Sequence, residues 1–303
     1  MAFPGWLRVS DPVRSALASG KPVVALESTV ITHGLPRPAN LELARRMELE
    51  VLSHAAQPAT VAVVDGHISL GLTSDELERL ALSDDVEKVS RRDLATVSVG
   101  GGLGGTTVAA TMVVAHSGGV HLMATGGIGG VHRGSAGDVS ADLPELAQTS
   151  VAVVCSGAKS ILDLPRTLEW LETASVPVIG WETDEFPSFF SKSSGLSTTC
   201  SVRSAEEAAE LLKVHWRISP SRGALICVPC PEGAAIPAEE IETALAQAEA
   251  DASAAGVAGK AITPYILSRL VELTDGATLR ANLALLRNNA VIAAELAVAL
   301  ARG

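Results

Sequence analysis

The chain has 303 residues, 47% hydrophobic and only 3% aromatic, with a formal charge of −11. That apolar content supplies ample core and excludes a disordered chain, while the acidity argues against a nucleic-acid partner, whose phosphates it would repel. A small phosphorylated ligand is still allowed, because a local cluster of cations and amide dipoles can oppose the overall field.

Residues 1–12 hold no basic stretch followed by an apolar run, so no signal peptide is expected. Apolar stretches such as 106–115 and 150–156 fall short of the roughly 18 residues of a membrane span. The expectation is a cytoplasmic protein without membrane contact.

In chain order, apolar runs rich in β-branched residues predict strands at 23–27, 60–64, 96–99, 121–124, 151–155, 176–180 and 224–227. They are nearly continuous in apolar character, as strands covered on both faces are. Helical patterns intervene at 39–55, 74–82, 106–116, 161–172 and 205–215. Such alternation predicts an α/β fold around a central, largely parallel sheet. From about residue 237 the strand signals stop, and Ala/Leu/Glu-rich helices are expected at 238–255, 264–274 and 278–301 as a helical C-terminal layer. No linker-like tract divides the chain, so one domain over 1–303 is expected.

Open α/β sheets bind ligands beyond the carboxyl ends of their strands, and the unusual segments fall there. Run 23–27 delivers Glu27-Ser28-Thr29 and then Thr32-His33-Gly34. Run 96–99 leads into the glycines at 100–105 with Thr106 and Thr107, run 121–124 into the glycine-rich residues 125–134, and run 151–155 into Ser156-Gly157-Ala158-Lys159. Their convergence is a stronger signal than any one of them. Gly100, Gly102 and Gly105 match the dinucleotide fingerprint in form, but Thr125 stands where the ribose-binding acid belongs, so NAD is not expected. Glycines still admit a ligand close to the backbone, and Thr106 and Thr107 at a helix start could meet a substrate phosphate. A tight turn explains the same residues.

Lysine is scarce, with six against a majority of arginines, which draws attention to Lys159. Partial desolvation there would favour the neutral amine, a nucleophile toward carbonyl carbon; a helix-start lysine reaching for solvent fits the position equally. Glu27 closes an apolar strand, where a carboxyl is either paired with a Thr or Lys or kept protonated as an acid. Lys88 lies in the one dense charge cluster, 86–93, a solvated surface or a phosphate-binding stretch. Asp138 and Asp142 are spaced i, i+4, which on a helix offers a hard divalent cation two carboxylates on one face; capping of a helix through Leu146 is the other reading. His33 and His132 sit in the same loops and could orient phosphate or base. Cys227 and Cys230 form Cys-Val-Pro-Cys without a second close Cys/His pair, and are read as buried thiols.

Ala25-Leu26-Glu27-Ser28-Thr29, His33-Gly34-Leu35-Pro36, Lys88-Val89-Ser90-Arg91-Arg92-Asp93, residues 125–134, Asp138-Val139-Ser140-Ala141-Asp142 and residues 156–164 closely resemble the pseudouridine-5′-phosphate glycosidase family. Asn282-Leu283-Ala284-Leu285 and Asn288-Asn289-Ala290 also fit. The resemblance implies a homotrimer of three-layer α/β/α subunits that bind a divalent metal, typically Mn²⁺. It implies reversible cleavage of pseudouridine 5′-phosphate to uracil and ribose 5-phosphate. By residue, it implies Lys159 as nucleophile, Glu27 as proton donor and Asp138 as metal ligand. It further implies Lys88, Val108, Ser140, Ala141 and Asp142 at the substrate and Asn282 near the uracil; Thr107 and His132 are added as neighbouring candidates.

This chemistry accounts for the residues. A C-glycosidic bond has no leaving oxygen to protonate, so two carboxylates alone do not suffice. If the ribose ring opens, a lysine can capture C1′ as an imine, and the uracil carbon then needs a proton from an acid such as Glu27. Two departures stand out: Arg133-Gly134-Ser135-Ala136-Gly137-Asp138 is shorter than in better-known bacterial members, and Cys227-Val228-Pro229-Cys230-Pro231 replaces an Asn-Pro-x-Pro pattern. A Schiff-base aldolase or lyase on another sugar phosphate, or a non-catalytic sugar-phosphate sensor, are the competing expectations.

Overall fold

The computed structural model describes residues 2–134, 137–257 and 262–302. Ser135 and Ala136 of the shortened loop, and Lys260, lie outside them. The strands are β1 (Leu7–Val9), β2 (Val23–Leu26), β3 (Gln57–Val64), β4 (His67–Leu70), β5 (Glu87–Val89), β6 (Gly104–Thr106), β7 (Leu122–Ala124), β8 (Val131–His132), β9 (Ala152–Cys155), β10 (Leu162–Asp163), β11 (Val178–Trp181), β12 (Cys200–Val202) and β13 (Ala224–Cys227). The helices are α1 (Asp11–Ala18), α2 (Ala39–Ser53), α3 (Ser74–Leu82), α4 (Leu94–Gly100), α5 (Val108–Ser117), α6 (Asp142–Leu146), α7 (Leu164–Thr173), α8 (Ala205–Ile218), α9 (Ala238–Ala254), α10 (Ile262–Leu273) and α11 (Ala277–Ala301).

Strands run parallel in the order β3-β2-β7-β9-β13-β11-β12. Beyond β3 the sheet becomes mixed: β4 and β6 pair with it antiparallel, β1 joins β4 in parallel, and β5 joins β6 in parallel. Every residue of β2, β7, β9 and β13 is buried. Helices cover both faces, so these strands carry continuous apolar runs and no alternation. The chain passes from β2 to β3 on one side, while β7 lies on the other. Strand order therefore reverses between β2 and β7, and such a switch opens a crevice at the carboxyl ends. Glu27 follows β2 there, and Thr125 follows β7.

α5 packs against β2, β3, β4, β6 and β7, while α11 packs against β2, β7 and β9 and touches α2 and α8. By length and mean hydropathy (1.5) α11 could cross a membrane, and 50% of that apolar stretch is buried inside the fold. Its small side chains, Ala281, Ala290, Ala293 and Ala294, are fully buried and let the helix approach the sheet closely.

Two expectations are corrected. Residues 96–99 are helical, within α4: Leu94 and Val97 are buried at i, i+3 while Val99 is 91% exposed. β-branched content mimicked a strand there. The strand lies later, at β6, where Gly104 and Gly105 carry no apolar pattern. The glycine run 100–105 thus joins a helix end to a strand: Gly101 closes α4 in the left-handed conformation (φ 72°), and Gly104 is hemmed in by Val89, whose Cγ2 would stand 2.4 Å from an added Cβ. Helix 161–172 starts later, at Leu164, because Leu162–Asp163 pairs with Val131–His132 and Asp163 caps the helix by accepting from the Arg166 amide at 3.1 Å.

Candidate active site

Glu27-Ser28-Thr29 is built to present its first residue. The Ser28 hydroxyl donates to the Val61 carbonyl (2.6 Å) and accepts from the Thr106 amide (2.8 Å), and the Thr29 hydroxyl donates to the Gly105 carbonyl (3.1 Å). These bonds tie the end of β2 to β3 and β6. Glu27 is left facing the crevice, only 7% exposed. Its Oε1 accepts from the Thr125 hydroxyl, one strand away. Burial raises its pKa above the ordinary carboxylate value, against the opposing charge of Lys159 and the Thr125 hydrogen bond. Desolvation is the larger effect, so this carboxyl holds its proton more readily than an exposed glutamate does.

Lys159 is delivered by the turn after β9. Its amide donates to the Ile128 carbonyl at 3.1 Å, and the Leu162 amide donates back to the Lys159 carbonyl at 3.0 Å. Glu27, Thr29, Lys88 and Lys159 line both lobes of one cleft. The inner lobe adds His33, Phe189, Leu267 and Asn282. The outer lobe adds Ser90, Arg91, Arg92, Thr107, Val108, His132, Asp138, Ser140, Ala141 and Asp142. Thr107 and the other candidate residues border this cleft, but Thr106 does not: it ends β6, fully buried, and its hydroxyl donates to the Val61 carbonyl at 2.7 Å. Among the described residues, Cys155, Cys227 and Cys230 are buried free thiols and Cys200 an exposed one.

The glycines of 125–134 serve close packing. A Cβ on Gly129 would stand 2.2 Å from the Ser140 hydroxyl oxygen, and one on Gly127 2.6 Å from the Phe189 ring. Thr107 caps the ten-residue α5 by accepting from the Ala110 amide at 3.4 Å. Arg91 is held by the buried Glu145, its Nη1 donating to both carboxylate oxygens at 2.8 and 2.9 Å.

The carboxylates at 138 and 142 do not share a helix face. α6 begins only at Asp142, and Asp138 is exposed in the segment before it. Asp142 is buried, and its two oxygens accept from the amides of Ala109 (2.9 Å) and Gly129 (2.8 Å). Asp142 thereby clamps the first turn of α5 to Gly129 in the cleft wall. Asp142→Ala is expected to cost about 3 kcal/mol, the scale of two charge-assisted hydrogen bonds and the unpaired amides left behind; a denaturant midpoint measures it. Among the described residues no group of three His, Cys, Asp or Glu could hold a metal ion. An exposed carboxylate such as Asp138 would suit only a hard cation that keeps most of its waters.

Sequence reasoning overlooked three contributors. Thr125 orients Glu27. Asn289, fully buried in α11, donates to the Thr125 carbonyl (2.8 Å) and to Ser156 Oγ (3.2 Å), so it fastens two strand ends to the helical layer. Its signal was a polar residue inside an apolar helical stripe. Phe189 is the third.

The chain belongs to the indigoidine synthase A like family, which it matches over residues 12–299. Within that family it stands with the pseudouridine-5′-phosphate glycosidases. It is 53% identical to the Methylobacterium nodulans protein of that name, over 97% of this chain and 88% of the other. It is also 53% identical to the one from Solibacter usitatus, over 96% and 98%. Among solved structures, the prealnumycin C-glycosynthase AlnA in complex with ribulose 5-phosphate superposes with a TM-score of 0.91 at 37% identity, covering 99% and 98% of the two chains. An indigoidine synthase A-like protein from Thermotoga maritima gives 0.89 at 38%, covering 98% and 97%.

Proposed function

We propose that this protein interconverts pseudouridine 5′-phosphate and water with uracil and ribose 5-phosphate, through an imine on Lys159. The observation that carries this reading is a lysine amine and a buried carboxyl of raised pKa lining one cleft. The names of the relatives and the pentose phosphate held by AlnA support the same substrate class.

In the cleavage direction, Lys159 Nζ attacks C1′ and the C1′–O4′ bond breaks, with a proton passing to O4′. The nitrogen lone pair then forms the imine as the C1′–C5 bond breaks, and Glu27 delivers a proton to C5 of uracil. Water hydrolyses the imine, releasing ribose 5-phosphate and the free amine. The outer lobe, with Lys88, Arg91, Thr107, Val108 and the start of α5, suits the phosphate. His132, Ser140 and Ala141 complete that lobe, and Asp142 borders it. The inner lobe, with Phe189, Leu267 and Asn282, suits the base. Phosphate anchoring there supplies binding energy away from the bond that breaks.

Asp138 would hold a Mn²⁺ or similar hard cation at the edge of the outer lobe. When bound, such an ion offsets phosphate charge. The proposed assembly is a cytoplasmic homotrimer; α2 exposes Leu49 and Leu52 by 56% and 50%, apolar surface that a second copy could cover.

Incubation with uracil, ribose 5-phosphate and Mn²⁺ should yield pseudouridine 5′-phosphate by chromatography, and no product from folded protein would remove the reading. Asp138→Asn should weaken Mn²⁺ binding by about tenfold or more, as loss of a carboxylate ligand demands; electron paramagnetic resonance of free Mn²⁺ measures it.

A further inference from the structure

In a chain with 3% aromatic residues, three of the four phenylalanines, Phe186, Phe189 and Phe190, fall in the connection between β11 and β12. Phe186 and Phe190 are core residues, exposed by 0% and 1%. Phe189 is buried as well, at 3%, but it alone of the three also lines the inner lobe beside Glu27, Lys159 and Asn282.

Its backbone lies at φ 58°, in the left-handed region, which a bulky side chain occupies only where the surroundings over-determine it. Here they do. The Phe189 amide donates to the Ser156 carbonyl at 3.1 Å, three residues before Lys159. Ser188 and Ser191 exchange backbone hydrogen bonds on either side, at 3.1 and 3.2 Å. Phe190 meets the ring edge to face, with centroids 4.6 Å apart. Gly127 gives way to it: an added Cβ would stand 2.6 Å from Cδ2 and 2.7 Å from Cε2 of the ring. A strained backbone, a neighbouring ring and a missing side chain all fix one aromatic ring at the wall of the lobe that holds the nucleophile and the acid.

We propose that Phe189 is the specificity-determining residue for the nucleobase, a wall that fits one unsubstituted pyrimidine ring and rejects a bulkier one. This rests on the function proposed above and identifies what sets base size within it. Removing the ring opens the slot and loses its contact with the base, whereas a methyl group on Gly127, which lines the same lobe, collides with the ring and takes space from the slot.

The test compares Phe189→Ala and Gly127→Ala with the wild type in the synthetic direction, using uracil and 6-methyluracil as acceptors. Phe189→Ala should raise KM for uracil about tenfold, the scale of a lost apolar contact, and leave KM for ribose 5-phosphate unchanged. The ratio of kcat/KM for 6-methyluracil over uracil should rise in Phe189→Ala and fall in Gly127→Ala. Borohydride trapping of ribose 5-phosphate should persist in all three proteins. Trapping intact with base selectivity unchanged in both variants overturns the role of Phe189 alone, as does a parallel rise in KM for both substrates. No trapping in the wild type overturns the parent reading and this one with it.

Discussion

Lys159→Ala is expected to lower the rate of uracil–ribose 5-phosphate interconversion by at least about a thousandfold, the scale on which loss of a covalent nucleophile is felt. The fold should survive. The turn that carries Lys159 is fixed by backbone bonds to Ile128 and Leu162, which alanine retains. Stopped assays at saturating substrate measure the effect, and a fall of only a few-fold would mean that Lys159 does no bond-making. Lys88, the other amine lining both lobes, provides the control. If it holds phosphate, Lys88→Ala should act mainly on KM for the phosphorylated substrate.

Glu27→Gln should reduce kcat by about 10² to 10⁴, the usual worth of a positioned general acid, while ribose 5-phosphate still forms its imine. Burial raises the pKa of Glu27 from its ordinary 4.5, which sets the direction of two pH effects. Cleavage needs the protonated acid, so its rate should fall as pH rises through the raised pKa. For stability, a carboxyl with a raised folded pKa contributes fully below its unfolded pKa, and that contribution is lost as pH rises through the folded one. The wild type should therefore lose stability relative to Glu27→Gln as pH climbs above the ordinary carboxylate range. Urea midpoints of the two proteins at several pH values measure the difference. Parallel curves would show that Glu27 ionises without cost and would count against a buried acid.

The sheet was legible where burial is symmetrical. Runs 23–27, 151–155 and 224–227 are apolar throughout because helices cover both faces, and strands stand there. Legibility failed where composition and environment part. Val97 and Val99 have strand-like side chains, yet one is buried and the other exposed on a helix, while Gly104 and Gly105 form a strand with no apolar signal. At the site, Glu27 and Lys159 could be picked out because a charged residue at the end of an apolar strand is costly and so calls for a reason. The i, i+4 spacing of Asp138 and Asp142 left a cation pair and a helix cap both open and showed neither amide that Asp142 meets, since spacing tells which carboxylates are neighbours in sequence and not what they touch. Phe189 and Arg91 with Glu145 act through contacts between distant parts of the chain that no local pattern announces, whereas Asn289 stood out as a polar residue in an apolar stripe without showing that it meets Thr125.

The central claim is that Lys159 itself becomes covalently joined to the sugar. Reduction with borohydride in the presence of ribose 5-phosphate, followed by proteolysis and mass spectrometry, tests it directly. The expected result is one peptide, carrying Lys159, heavier by the mass of the reduced pentose phosphate, and no such peptide from Lys159→Ala. Labelling at Lys88, or full turnover with no adduct at Lys159, would contradict the account.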